Sequence, residues 1–398
     1  MTRITTDIAI AGAGPAGLIA AATLAHAGWQ VLLIDPVAPV TDGKDSTADR
    51  RSTAFLQPAI ALFERTGIWD DLAPHAIPLD ALRIVDLAGE PPEYRDERVF
   101  TSGETGPGPF GWNFLNWQIR AALMGHLTRQ PNVTLKFGAG LTRLMTRTGE
   151  ARLTLADGTR ITARLAIAAD GRNSTLRDLA GITTQTTRYG QQSLAFTAKH
   201  DVPHGNISTE IYHEGGPFTM VPLAELDGKP ASAIVWMNPG RRAQELLAMD
   251  PAPFNAEMLR RTAGLFGALD LASPRGAFPI ITRRADALTT ERVAVIAEAA
   301  HVLPPIGAQG LNTSVNDIAA LTAAIGTTGD PGRADVLTRY EAARKTDIAR
   351  RGTAIDLFNR VTRSGLPPLQ TLRLSGLKLA HDITPLRRGL MRAGLGPE

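Results

Sequence analysis

An α/β fold is predicted for this chain: a Rossmann-like nucleotide-binding domain, discontinuous in sequence, with an inserted antiparallel-sheet domain and C-terminal helices. Three observations predict it. The stretch "DIAIAGAGPAGLIAAATLAHAGWQVLLIDP" reads as strand, tight turn, helix, strand. Apolar strands at residues 165–169 and 293–296 each run into a short polar or glycine-bearing segment. Between them, "VPLAELDGKPASAIVWMNPG" has strand–turn–strand character, with Asp227-Gly228 as a hairpin turn signal.

The first unit carries the chemistry most plainly. Residues 8–11 make a short buried strand, and residues 16–27 are strong helix formers closed by Gly28. Residues 31–34 form an all-apolar strand suited to a parallel sheet. Between strand and helix, Gly12-Ala13-Gly14-Pro15-Ala16-Gly17 fits G-x-G-x-x-G. Gly12 allows the turn, Gly14 lets a pyrophosphate approach the backbone, and Gly17 lets helix pack on strand. The helix N-terminus offers N–H groups to phosphates, and Asp35 ends the second strand where it can accept from a ribose hydroxyl. The motif by itself leaves NAD and FAD open.

Composition narrows the remaining classes. The chain has 398 residues, is 43% hydrophobic and 20% charged, and has 38 Gly and 27 Pro, as a soluble globular protein with many turns would. With no cysteine, disulfides, thiolate metal sites and thiol nucleophiles are excluded. A net charge of +3 does not argue for nucleic acid. Residues 8–28 follow Arg3 and superficially mimic a signal peptide, but the glycine placement assigns them to the nucleotide unit. From Arg350 onward nine Lys/Arg face three acids, with apolar residues interleaved. That pattern is either a solvated basic face or a surface that rests on an anionic membrane or a partner.

Three further stretches accompany the first motif in order: "DRRSTAFLQPAIALFERTGIWDDL", "AIAADGRNSTLRDLAGI" and "RVAVIAEAAHVLPPIGAQGLNTSVNDIAAL". With them the chain resembles the FAD-dependent aromatic hydroxylases of the para-hydroxybenzoate hydroxylase fold. "RYGQQSLAF", "STEIYHEGGPFTMVPL", "SAIVWMN" and "LTRYEAARKTDIARRGTAIDLFNR" narrow the resemblance to the branch that hydroxylates ubiquinone precursors. It implies a flavin monooxygenase. NAD(P)H reduces FAD, O2 then forms a C4a-hydroperoxide, and one oxygen passes to the ring of a lipid-linked aromatic substrate. A hydroxylase of a small soluble aromatic, or a silent flavin-fold scaffold of a quinone-synthesis complex, are the alternatives. The expected location is cytoplasmic, with peripheral membrane contact left open.

The resemblance also implies site roles. Gly12, Ala13, Gly14, Pro15, Ala16 and Gly17 would hold the FAD pyrophosphate and Asp35 the adenosine ribose. Asp170 and Gly171 would lie near the pyrophosphate and nicotinamide, with Arg51, Asn116 and Arg120 reaching toward the flavin. Glu298 would meet the ribityl hydroxyls, and Pro305, Gly307, Gly310, Leu311 and Asn312 would pass the isoalloxazine ring. Many members carry Gly-Asp where this chain has Ala297-Glu298, and the added Cβ and methylene demand a shifted backbone. His301 is expected to pack or hydrogen-bond rather than shuttle protons, while Tyr212 and His213 are candidates for a general base. No metal site is expected. The domain division that follows is 1–75, 100–180 and 275–340 for FAD, 76–99 and 181–274 for the substrate sheet, and 341–398 for C-terminal helices.

Overall fold

A computed structural model describes residues 2–104, 106–213, 215–362, 381, 382 and 391. The glycine-rich unit folds as the sequence predicts: strand Arg3–Ala11, helix Pro15–His26, strand Val31–Asp35. All ten residues Ala16–Ala25 are buried, so this helix is a core element rather than an amphipathic surface one. It contacts helices Asn116–Thr128 and Gln309–Ile325. The sheet beneath has eight strands. Its parallel run is Val293–Val295, Arg160–Ala168, Arg3–Ala11, Val31–Asp35, Val133–Phe137. Strand order reverses between Arg3–Ala11 and Arg160–Ala168. The carboxyl ends of these two strands, at Gly12 and Ala169–Gly171, thus form the topological switch point where ligands bind in such sheets.

The second sheet has nine strands and departs from the expectation in two ways. It is mixed rather than purely antiparallel, because Ile207–Tyr212 runs parallel to Ala81–Ala88. It also recruits Gly276–Ala285 and His301–Val302, which sequence reading assigned to the nucleotide unit. The reason is non-local: Thr184–His200 is 17 residues long and offers its free edge to Gly276–Ala285 along most of its length. The Asp227-Gly228 turn forms as expected, with φ of 52° and 71° joining Phe218–Leu226 to Lys229–Pro239.

Alternation sorts this sheet's two faces. Val85, Leu194, Phe196, Ile211, Phe218 and Trp236 pack on Leu246, Phe254 and Met258 of helices Gly240–Ala248 and Pro251–Arg261. The opposite face looks across a cavity toward the first sheet. A three-stranded sheet, Ser52–Leu56, Gly111–Leu115 and Ile77–Leu79, bridges the two around Phe55, Phe63 and Phe114. Helix Ala334–Thr362 buries Leu337, Tyr340, Ile348 and Ile355, which recur at helical spacing. The side chain of Phe358, and most of the basic C-terminal stretch, lie outside the described residues.

Candidate FAD and substrate site

Two cavities meet at the switch point. The smaller, of about 350 Å3, is lined by Gly12, Ala13, Gly14, Asp35, Val37 and Asp170 among others. The larger, of about 1160 Å3, runs from Gly14 past Arg51 and Gly307–Leu311 to the face of the nine-stranded sheet. Gly14, Arg120, Ala169 and Gly171 line both.

The glycines of the turn divide by what a side chain would strike. A Cβ on Gly12 would sit 2.3 Å from the Ala169 carbonyl oxygen, and one on Gly17 would sit 1.8 Å from that of Gly12. These two glycines are therefore required by strand–strand and helix–strand packing. A Cβ on Gly14 meets no atom within 4 Å. At Gly14 the backbone instead faces open space beside the N-terminus of helix Pro15–His26, a cradle an anion can enter. Asp35 accepts from the Ala13 N–H at 2.7 Å and the Val37 N–H at 2.9 Å, so its carboxylate also locks the turn it borders. Gly14, which both cavities share, leaves an open approach of the kind a pyrophosphate needs. Ligand pockets commonly span about 300–1,000 Å3, so the larger cavity has room for a flavin and a second molecule.

Arg51, Asn116 and Arg120 do not stand free beside this space. All three donate to Asp49, a residue sequence reading missed: Arg51 through Nε at 2.8 Å and Nη2 at 2.7 Å, Asn116 at 3.1 Å, Arg120 at 3.3 Å. Burial alone would push the Asp49 carboxyl up, but its bonds to Arg51 and the charge of Arg51 outweigh that and hold it below the ordinary range. The Arg51 guanidinium also stacks 4.6 Å above the Phe278 ring. Asp49 lies in "TADRRST", where no periodicity marks it. Only the fold brings residue 49 to residues 116 and 120.

Asp170 turns inward as well. Its side chain accepts from the Ser174 hydroxyl and, at 3.0 Å, from the Leu176 N–H, capping helix Thr175–Leu179. Burial raises its pKa. Gly171 lines both cavities. Glu298 is half exposed, 3.5 Å from Arg172, and lines the larger cavity. The preceding Ala297 adopts φ 57°, a left-handed conformation that costs a non-glycine residue about 1–2 kcal/mol.

What holds Ala297 there is a buried network. Asp317 is fully buried on helix Gln309–Ile325 and accepts from the Ala297 N–H at 2.9 Å. Its carboxylate also meets His301 Nε2 at 2.6 Å and the Arg344 Nε at 2.8 Å. His301, 2% exposed, is thus a packed, hydrogen-bonded residue at the cavity's margin, as its sequence context suggests. Asp317 was not singled out by sequence, because an acid within "NTSVNDIAAL" looks like any helix-surface residue until its partner helix is placed.

Pro305, Gly307, Gly310 and Leu311 line the larger cavity. Ala308, at φ 55°, starts helix Gln309–Ile325 without a side-chain cap. Gln309, Gly310 and Leu311 of its first turn line the cavity, and first-turn N–H groups have no intrahelical acceptor. Asn312 differs from expectation. Its amide donates to the Ala54 and Ala308 carbonyls and its oxygen accepts from the Leu56 N–H, so the side chain stitches helix to strand and is not available to a ring. Of the two base candidates, His213 bonds the Gly89 carbonyl away from the cavity, whereas Tyr212 lines it.

Comparison with known proteins agrees with this arrangement. A family model described as an FAD binding domain matches residues 5–352. The ubiquinone hydroxylase UbiL of Rhodospirillum rubrum is 30% identical over 397 residues, 98% of this chain and 89% of that protein. The 3-demethoxyubiquinol 3-hydroxylase of Escherichia coli is 29% identical over 401 residues, covering the whole of both chains. Two solved structures share the fold. They are p-nitrophenol 4-monooxygenase PnpA of Pseudomonas putida (TM-score 0.79, 18% identity, 98% and 97% covered) and Klebsiella pneumoniae HpxO complexed with FAD and uric acid (TM-score 0.76, 21% identity, 97% of both chains covered). The chain belongs to the FAD binding domain family, and it is an FAD-dependent monooxygenase.

Proposed function

We propose that this protein hydroxylates the aromatic ring of an uncharged, lipid-linked phenol, a prenylated ubiquinone precursor, using NAD(P)H and O2. The observation that carries the reading is the character of the cavity's sheet wall. Leu82, Ile84, Ala195, Val221, Ala233 and Val235 face it beside the polar Ser208, Glu210 and Thr219, and among the described residues the arginines lining the cavity, Arg51, Arg120 and Arg172, all come from other elements. A benzoate-like substrate would leave its carboxylate buried without a cation on that wall, at a cost of several kcal/mol. A neutral ring with an apolar tail incurs no such cost. The names of the relatives, a ubiquinone hydroxylase and a demethoxyubiquinol hydroxylase, support the same class of substrate.

In this reading Gly12–Ala16 receive the FAD pyrophosphate, Asp35 the ribose, and Glu298 the ribityl hydroxyls. Arg51, Asn116 and Arg120, held by Asp49, border the path between the two cavities. FAD, when bound, accepts hydride from NAD(P)H and activates O2. The chain supplies placement and field. N–H groups of Gly310 and Leu311 at the N-terminus of helix Gln309–Ile325 favour negative charge on the nearby ring edge without any titrating side chain. The apolar wall excludes water, which limits wasteful peroxide release. No described helix is long and apolar enough to cross a membrane. A lipid substrate therefore calls for surface contact, which the basic sequence from Arg350 onward suits. Removing residues after Arg363 should reduce sedimentation with anionic vesicles, and unchanged binding would retire that contact.

The test is the lipid-quinone profile, by mass spectrometry, of cells lacking the protein and any redundant hydroxylase. Accumulation of a prenylated precursor one ring hydroxyl short supports the reading and identifies the carbon. Rescue by a variant unable to bind FAD would favour a scaffold instead, and an unchanged pool would favour a small soluble aromatic.

A further inference from the structure

Between Ile296 and helix Gln309–Ile325 two alanines hold left-handed backbone, Ala297 at φ 57° and Ala308 at φ 55°. Asp317 holds the first. The second follows Gly307, at φ 62°, in the turn that brings Gly310 and Leu311 to the cavity. A left-handed residue with a Cβ persists only where its surroundings over-determine it. Three side-chain bonds do so here. Asn312 donates to the Ala308 carbonyl at 2.7 Å, Gln309 Nε2 donates to the Gly307 carbonyl at 3.0 Å, and Gln309 Oε1 accepts from Arg351 Nη1 at 2.7 Å. Arginine can only donate, so it takes the amide oxygen and leaves the amide nitrogen for Gly307. Arg351 is itself set: its Nε donates to Asp347 at 2.9 Å, and the other Asp347 oxygen accepts from Arg344 at 2.7 Å. Arg344, Ile348, Arg351 and Ile355 follow at spacings of four, three and four, which makes them one stripe of helix Ala334–Thr362. Along that stripe Arg344 reaches the Ala297 turn through Asp317, Arg351 reaches the Ala308 turn through Gln309, and Ile355 shares an apolar cluster with Ile306.

We propose that Arg351, acting through Gln309, is a positioning residue that fixes the turn at the flavin's ring edge and thereby sets how strongly the site favours reduced flavin. This rests on the reading above, in which the Gly310 and Leu311 N–H groups face that edge. Donors stabilise a developing negative charge most when they are already in place, because no reorganisation is then needed. A Gln side chain with no fixed partner samples many rotamers, and ordering it carries an entropic cost. The bond from Arg351 holds Gln309 in the one arrangement that ties down Gly307. Without it the left-handed Ala308 can relax, and the N–H groups that follow it move with the turn. Arg351 does not line the cavity, so it acts on the ring edge through Gln309, which does.

The test is the two-electron midpoint potential of bound FAD, by dye-coupled equilibrium reduction, in FAD-loaded wild type, Arg351→Met, Gln309→Leu and the double variant. Each single variant should hold reduced flavin about tenfold less tightly relative to oxidised flavin, a fall of about 30 mV. That is about the worth of one hydrogen bond to a charged group. The double variant should fall no further, because both changes break the same link. Gln309→Leu removes the link without removing a charge, and it carries the test by itself if Arg351→Met does not fold. A fall in Arg351→Met with none in Gln309→Leu would make Arg351 a charge acting through space and overturn the positioning role. Wild-type potentials in both, or additive falls in the double variant, would overturn it too, and each would leave the ring-edge reading standing. A wild type that holds FAD at the potential of free FAD would overturn the ring-edge reading itself, and the inference with it.

Discussion

Replacing Asp317 with asparagine should cost this protein about 3 kcal/mol of stability while leaving its side-chain volume unchanged. The carboxylate is fully buried and serves three donors, the Ala297 N–H, His301 Nε2 and Arg344 Nε. Breaking a buried ion pair by neutralising one partner typically costs about 3–5 kcal/mol, because the remaining charge keeps its desolvation penalty. Arg344 retains Asp347 at 2.7 Å, which puts the loss at the lower end. At about 2.1 cal/mol/K per residue, a chain of 398 residues has an unfolding entropy near 0.8 kcal/mol/K. The melting temperature should therefore drop by roughly 4 °C. The matched control is Asp335→Asn, whose partners Arg333 and Arg339 are exposed and screened, and it should leave the melting temperature in place.

The pH dependence has a definite sign. Burial would raise the Asp317 pKa, but His301 and Arg344 outweigh it and the pKa lies below its ordinary value. A lowered carboxylate pKa contributes stability that is fully present above the unfolded value near 3.8 and is lost on acidification through the folded value. The carboxylate's contribution to the gap between wild type and Asp317→Asn should thus be present at pH 5 and be lost only on acidification below about pH 4. Differential scanning calorimetry across that range, with flavin content measured in parallel, checks both parts. A shift under 1 °C at pH 7 with full flavin retention would refute the claim that this network holds the Ala297 turn.

Gly14→Val should leave the melting temperature of the apoprotein within a degree or two and abolish flavin binding, read from visible absorbance, since the new side chain enters only the space an anion would use. Gly17→Ala should instead destabilise the apoprotein itself, because its Cβ meets the Gly12 carbonyl; equal melting temperatures for the two variants would refute that division of roles. Glu210→Gln should be more heat-stable than wild type at pH 8, with the gain vanishing near pH 4.5. A raised carboxyl pKa means native stability falls as pH climbs from the unfolded value of about 4.5 through the folded one, and Gln does not titrate. A pH-independent difference in thermal shift would count against a buried, titrating Glu210. Asn312→Ala removes three hydrogen bonds between helix Gln309–Ile325 and its surroundings. It should lower stability by about 1–3 kcal/mol, the usual penalty when buried backbone partners are orphaned. Unchanged urea unfolding would show those bonds to be replaceable.

The sequence by itself determined what depends on neighbouring residues. The Gly12–Gly17 turn, the buried helix after it and the acid ending Val31–Asp35 are local, so their spacing and composition suffice to define a nucleotide cradle. The Asp227-Gly228 hairpin is local in the same sense. What the tertiary structure alone decided is everything that joins distant segments. Asp49 gathers Arg51, Asn116 and Arg120; Asp317 gathers Ala297, His301 and Arg344; Asn312 is diverted from the cavity to strand Ser52–Leu56. The recruitment of Gly276–Ala285 to the substrate sheet is of the same kind, set by an open strand edge about 80 residues upstream. A carboxylate's role is fixed by which charges and donors surround it in a low-dielectric interior, and chain order carries no record of those neighbours. Glu210 shows this most plainly: in "STEIYHEGG" it is an ordinary strand acid, and only the sheet places it, with Tyr212, in the wall of the cavity.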